Sequence, residues 1–144
     1  MTAAQRAAEN FESGFSCSQA VFAAFSEALG LERTIALKIA QPFGGGIAGT
    51  GSTCGAVTGA LLAIGLQHGR FRPEDAAAKD KTYALVLEFI NRFRERHGSI
   101  VCRELIGVDL STPEGHEEAR RRGLFTERCS LFVSQAAEIL EALL

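Results

Sequence analysis

The segment PEDAAAKDKTYALVLEFINRFRERH, residues 73–97, reads as one long amphipathic helix. Pro73 suits the first helical position, where the missing N–H has no intrahelical partner to lose. Tyr83, Val86, Leu87, Ile90 and Phe93 follow at the three- and four-residue intervals of a core-facing stripe, and Gly98 ends the run. Upstream, Cys54 to Gln67 forms a second apolar helix with Ser52 and Thr53 as its caps. A glycine-rich loop precedes it, with Gly44, Gly45, Gly46, Gly49 and Gly51. Three further helices are predicted before that loop: Thr2 to Ser13, with Ala3, Ala7, Ala8 and Phe11 along one side; Cys17 to Leu29, capped by Ser16 and stopped by Gly30; and Arg33 to Gln41, halted by Pro42.

Downstream of Gly98 comes a short turn of helix, Val101 to Ile106, then a charged helix that Thr112-Pro113 opens and Gly123 follows. Thr126 is expected to cap a last helix from Glu127 to the C-terminus. No segment alternates with period two, and no Asn-Gly or Asp-Gly hairpin turn occurs. The sequence therefore predicts an all-α bundle of seven or eight helices, a single domain over residues 1–144.

The formal charge of −2 and isoelectric point near 5.9 supply no broad basic field, which argues against nucleic acid or an anionic membrane as partner. The longest apolar stretch, Ala56 to Leu66, is about half the roughly 20 residues of a spanning helix and is interrupted by Thr58. Thr2 to Ser13 mixes alanines with Gln5, Arg6, Glu9 and Asn10 and lacks the apolar centre of a signal peptide. A cytoplasmic protein is expected. In that reducing compartment the four cysteines are thiols, metal ligands or a working redox pair, not permanent cross-links.

Those cysteines, Cys17, Cys54, Cys102 and Cys129, are widely spaced and include no Cys-x-x-Cys, so any shared site must be assembled by folding. Each falls in the first turn of a predicted helix, near Ser16, Thr53, Ser99 or Thr126, and each begins its helix's apolar line. Cys129, for example, leads to Phe132, Val133, Ala136, Ile139 and Leu140. Helix N-termini favour thiolate, the reactive and metal-binding form. The opposing reading is that free cysteine simply packs like a small hydrophobe.

The loop running into Cys54 lacks the lysine and the preceding strand of a phosphate loop. Backbone N–H groups at Gly49, Gly51 and Gly55 are expected near the sulfurs, tuning a thiolate or cluster. Gly55 and Gly59, four apart, also permit close helix packing. His68 and His97 read as exposed C-terminal residues of their helices, and Arg120, Arg121 and Arg122 as a solvated face balancing Glu114, Glu117 and Glu118.

Cys17, the run Gly51-Ser-Thr-Cys54-Gly-Ala-Val-Thr-Gly-Ala-Leu61, Cys102-Arg-Glu-Leu-Ile-Gly107 and Cys129 together resemble the redox-active C-GCAxxG-C-C family over nearly the whole chain. Thr53, where the family writes glycine, is a departure. The resemblance implies a bacterial or archaeal protein with redox activity, often encoded near transporter genes, whose four cysteine positions correspond to Cys17, Cys54, Cys102 and Cys129. Three functions remain open at this level. The thiols cycle between dithiol and disulfide or hold an iron-sulfur cluster; they hold zinc structurally; or they only pack within a helical interaction protein.

Overall fold

A computed structural model describes all 144 residues. It contains eight α-helices and no strand: α1 (Ala3–Glu12), α2 (Cys17–Ser26), α3 (Arg33–Ala40), α4 (Gly55–His68), α5 (Ala76–His97), α6 (Cys102–Ile106), α7 (Pro113–Arg121) and α8 (Ser130–Leu143). A 3₁₀ turn, Gln41–Phe43, follows α3, and a π turn, Phe125–Cys129, leads into α8. The all-α expectation holds. No helix is long and apolar enough to cross a membrane.

Local signals explain several helix starts. Thr2 and Gln5 form a reciprocal capping box, as do Ser16 and Gln19, so two backbone donors are satisfied at the head of both α1 and α2. Helix α2 is the centre of the fold. Eight of its ten residues are buried, so it is covered on all sides and shows little of the polar face a surface helix needs. It crosses α4 closely because α4 presents glycine there. A Cβ on Gly59 would lie 2.6 Å from the Ser18 carbonyl oxygen, as the four-residue Gly55/Gly59 spacing anticipates. Val21, Val57, Ile64, Phe89, Phe93, Val133 and Leu140 form the fully buried interior between α2, α4, α5 and α8.

Several expected boundaries move. Helix α5 starts at Ala76, not Pro73, because the Asp75 carboxylate accepts from the Ala78 N–H at 3.1 Å and proline has no such acceptor. On α5, Tyr83 and Leu87 are exposed, at 62% and 60%. The helix packs mainly against α4 and α8, so its buried line is the narrower one through Phe89 and Phe93. Ser52 and Thr53 do not cap α4, whose N-cap residue is Cys54. Ser99 accepts from the Val101 N–H at 3.0 Å without capping α6. Thr126 caps nothing either. The chain is already helical at Leu124, and the Thr126 carbonyl accepts the Ser130 hydroxyl at 2.6 Å.

Candidate functional site

The glycine-rich loop gives the site its shape. Gly45, Gly46, Ile47, Ala48 and Gly49 have φ values of 64°, 70°, 68°, 49° and 77°, five consecutive left-handed residues. Glycine takes that conformation freely, whereas for Ile47 and Ala48 it costs about 1–2 kcal/mol each. Hydrogen bonds within the loop hold it. The Ala48 N–H donates to the Pro42 carbonyl at 2.9 Å and the Ser52 N–H to the Gly46 carbonyl at 2.7 Å, while the Thr50 hydroxyl reaches the Gly46 carbonyl at 2.8 Å.

This reversal lays residues 51–54 antiparallel to 100–103. Thr53 and Val101 form an isolated β-bridge. The Cys54 N–H donates to the Ile100 carbonyl at 2.7 Å and the Cys102 N–H to the Ser52 carbonyl at 2.6 Å. Cys54 and Cys102 are thereby diagonal neighbours on one side of a two-segment ladder. Positions without side chains then let the backbone close in. A Cβ on Gly46 would lie 2.7 Å from Cys102 Cβ, and one on Gly55 would lie 3.1 Å from Cys17 Cβ.

All four cysteines line one cavity of about 330 Å³. Its walls are the side chains of Phe11, Leu105, Ile106, Leu110, Phe125 and Phe132, with the backbone of Gly45, Gly46 and Gly55 behind the sulfurs. Gly49 and Gly51, expected beside the sulfurs, are not in the lining. Their N–H groups donate to the Gly44 and Gly45 carbonyls inside the loop. Gly55 does line the cavity, joined by Gly45 and Gly46.

Helix starts account for only part of the cysteine pattern. Cys17 and Cys102 are the first residues of α2 and α6, Cys54 immediately precedes α4, and Cys129 closes the π turn within a continuous helical run. Cys54, Cys102 and Cys129 are buried and Cys17 is half-buried; all four are free thiols. Burial outweighs the helix field for most of them. It pushes the Cys54 thiol up to about 12, against the opposing pull of the Ala56 and Val57 N–H groups. It pushes Cys102 up to about 11, with added repulsion from Cys129. Cys17 is raised chiefly by its interaction with Cys129, and burial adds to this. Cys129 alone is lowered, by the same interaction with Cys17, which burial only partly offsets. The one lowered thiol thus owes its shift to a neighbouring thiol and not to a helix terminus.

The metal reading lacks a ready donor set. No three side chains of His, Cys, Asp or Glu come together in a way that could hold a metal ion. Four thiolates around zinc or a cluster would have to draw inward from the positions they occupy here.

Two further lining residues are His116, which the sequence places near a helix end as a possible ligand, and Arg120, which it places on a solvated face and which is indeed exposed and paired with Glu117. His116 and Arg120, one turn apart on α7, are the only ionisable groups in the lining besides the thiols. Both are exposed at its mouth. The signal for their place beside the cavity is that 116 and 120 share a face with Ala119, the one residue α7 buries. Arg122, paired with Glu118 at 3.7 Å, also belongs to the solvated face. His97 is not the exposed helix end expected. Its ring lies 4.7 Å from Phe93 and 4.9 Å from Phe132, centroid to centroid, with Nε2 buried and unpaired.

The fold and cavity define a helical protein that gathers four free thiols from four distant segments around one apolar space. The family model described as "Putative redox-active protein (C_GCAxxG_C_C)" matches residues 15–143, and the chain belongs to that family. No curated protein and no solved structure matches it.

Proposed function

We propose that this protein is a thiol–disulfide redox protein in which Cys129 is the attacking sulfur and Cys17 the resolving one. The observation that carries this reading is that Cys17, Cys54, Cys102 and Cys129 all line one cavity; the opposite pKa shifts of Cys17 and Cys129, each traced first to the other thiol, single out that pair. A thiolate held below its usual range and beside a second thiol is the arrangement that disulfide exchange needs. The Cys129 thiolate attacks a disulfide sulfur and the distant sulfur leaves as a thiolate. Cys17 then gives up its proton and attacks Cys129, expelling the second thiolate and closing a Cys17–Cys129 disulfide. Two electrons pass to the substrate, and a dithiol reductant, proposed to be a partner protein in a reducing cytoplasm, restores the pair. Cys54 and Cys102, held protonated by burial, form a slower second pair.

Anaerobic purification, metal and sulfide analysis, and thiol counting before and after one equivalent of mild oxidant test the reading. The expected result is two thiols lost to a Cys17–Cys129 bridge identified by peptide mapping, with Cys129→Ser removing the fast-reacting thiol. Four unreactive thiols on a metal-free protein would overturn it in favour of cysteines that only pack. Stoichiometric zinc, or iron with sulfide, would overturn it in favour of a metal site.

A further inference from the structure

The cavity carries one fixed charge at its rim. Among its lining residues Arg120 is the one permanent cation and no carboxylate is present, although Glu117 pairs with Arg120 from outside the lining. Glu117 holds the Arg120 guanidinium from one edge, accepting from Nε at 3.0 Å and from Nη2 at 2.6 Å. That fork fixes the plane of the group and leaves Nη1 without a protein acceptor. His116 lies one turn away, its ring centroid 5.2 Å from that of Phe125. The rest of the lining is aromatic and aliphatic, with the four cysteines set in it. At about 330 Å³ the space is at the small end of ligand pockets, enough for one aromatic or short aliphatic arm and too small for a folded peptide segment.

From this geometry we infer that the cavity takes small organic disulfides whose apolar arm ends in an anionic group, with Arg120 and His116 receiving the anion at the mouth. The inference rests on the thiol–disulfide reading above and names the substrate class for that same site. The disulfide is the oxidant. Cys129 bonds to the sulfur of the bound arm and the other arm departs as a thiolate with the bonding electron pair. Cys17 then displaces the bound arm as a second thiolate, and the protein retains the disulfide. Arg120 is a positioning residue that touches the anion and not the reacting sulfurs.

The experiment uses the full reduced chain and three probes: 5,5′-dithiobis(2-nitrobenzoate), which is anionic, 4,4′-dithiodipyridine, which is neutral, and cystamine, which is cationic. Second-order rates of thiolate release are divided by those of free cysteine at the same pH, so intrinsic reactivity cancels. The expected order is anionic above neutral above cationic. Arg120→Gln should lower the anionic-to-neutral ratio about tenfold, as loss of a rim charge does, and added salt should lower it in wild type. Arg120→Lys should restore part of it. Arg122→Gln, on the same helix but outside the lining, should leave the ratio unchanged. Equal normalised rates for all probes, or the same ratio in Arg120→Gln as in wild type, overturn the substrate inference while leaving the dithiol reading standing. Failure of every probe, or rates that persist in Cys129→Ser, overturns the dithiol reading itself.

Discussion

The interior divides into two unequal regions that meet at the sulfurs. The larger cluster, 24 buried residues drawn mainly from α1, α2, α4, α5 and α8, includes Cys54. The smaller, seven residues between positions 102 and 129, includes Cys102 and Cys129. Cys17 packs against both. Stability should therefore reside in the first region and access to the thiols in the second, where α7 buries only Ala119 and little apolar surface resists local opening.

The largest expected effect tests the first half of that division. Phe93→Ala, at a fully buried site, should cost about 3–5 kcal/mol in denaturant unfolding while leaving the order of thiol reactivity intact. Gly46→Ala strikes the seam. Its Cβ would lie 2.6 Å from the Ser52 nitrogen as well as against Cys102, and a loss of about 2–3 kcal/mol is expected together with faster alkylation of Cys102. Leu110→Ala, in the smaller cluster, should cost about 2 kcal/mol globally, the low end for such truncations. Its sharper signature is faster hydrogen exchange in residues 102–129 with little change in α4 and α5. Equal exchange changes in the two regions would abolish the distinction.

The effect that is smallest near neutral pH is a slope that opens only above pH 9. Burial holds the folded Cys54 thiol protonated up to about 12 against an ordinary 9.0. The unfolded chain releases that proton first, so the stability this group contributes is whole below pH 9 and falls by about 1.4 kcal/mol per unit as pH rises from 9 towards 12. Cys102 adds a decline in the same direction up to about 11. Comparing wild type with Cys54→Ala isolates the Cys54 share, and identical slopes would mean that Cys54 is not shielded from solvent as the fold implies.

Much of the bundle was legible because capping residues and helical spacing act locally. Ser16 and Thr112 cap as their chemistry dictates, while Thr2, read as the first helical residue, is itself the cap. Tyr83 and Leu87 misled because an apolar stripe records what a helix can bury, and only its neighbours decide how much it does. The cysteine positions stood out in the chain. Their gathering was expected from their shared inward-facing positions, but the β-bridge between segments nearly fifty residues apart and the loop that arrange it follow no local sequence rule. Arg120 faces solvent like its two neighbours, and only its place one turn from His116 beside the cavity sets it apart.

Ile47 and Ala48 stand in a stretch whose handedness is opposite to that of the eight helices around it. At those two positions a mirror-image amino acid would suit the backbone better than the natural one. A semisynthetic chain carrying D-alanine at position 48 should be more stable by about 1–2 kcal/mol, with the cysteine arrangement unchanged. Ribosomal synthesis has only glycine to approximate that fit, and the density of glycine in this one loop follows from it.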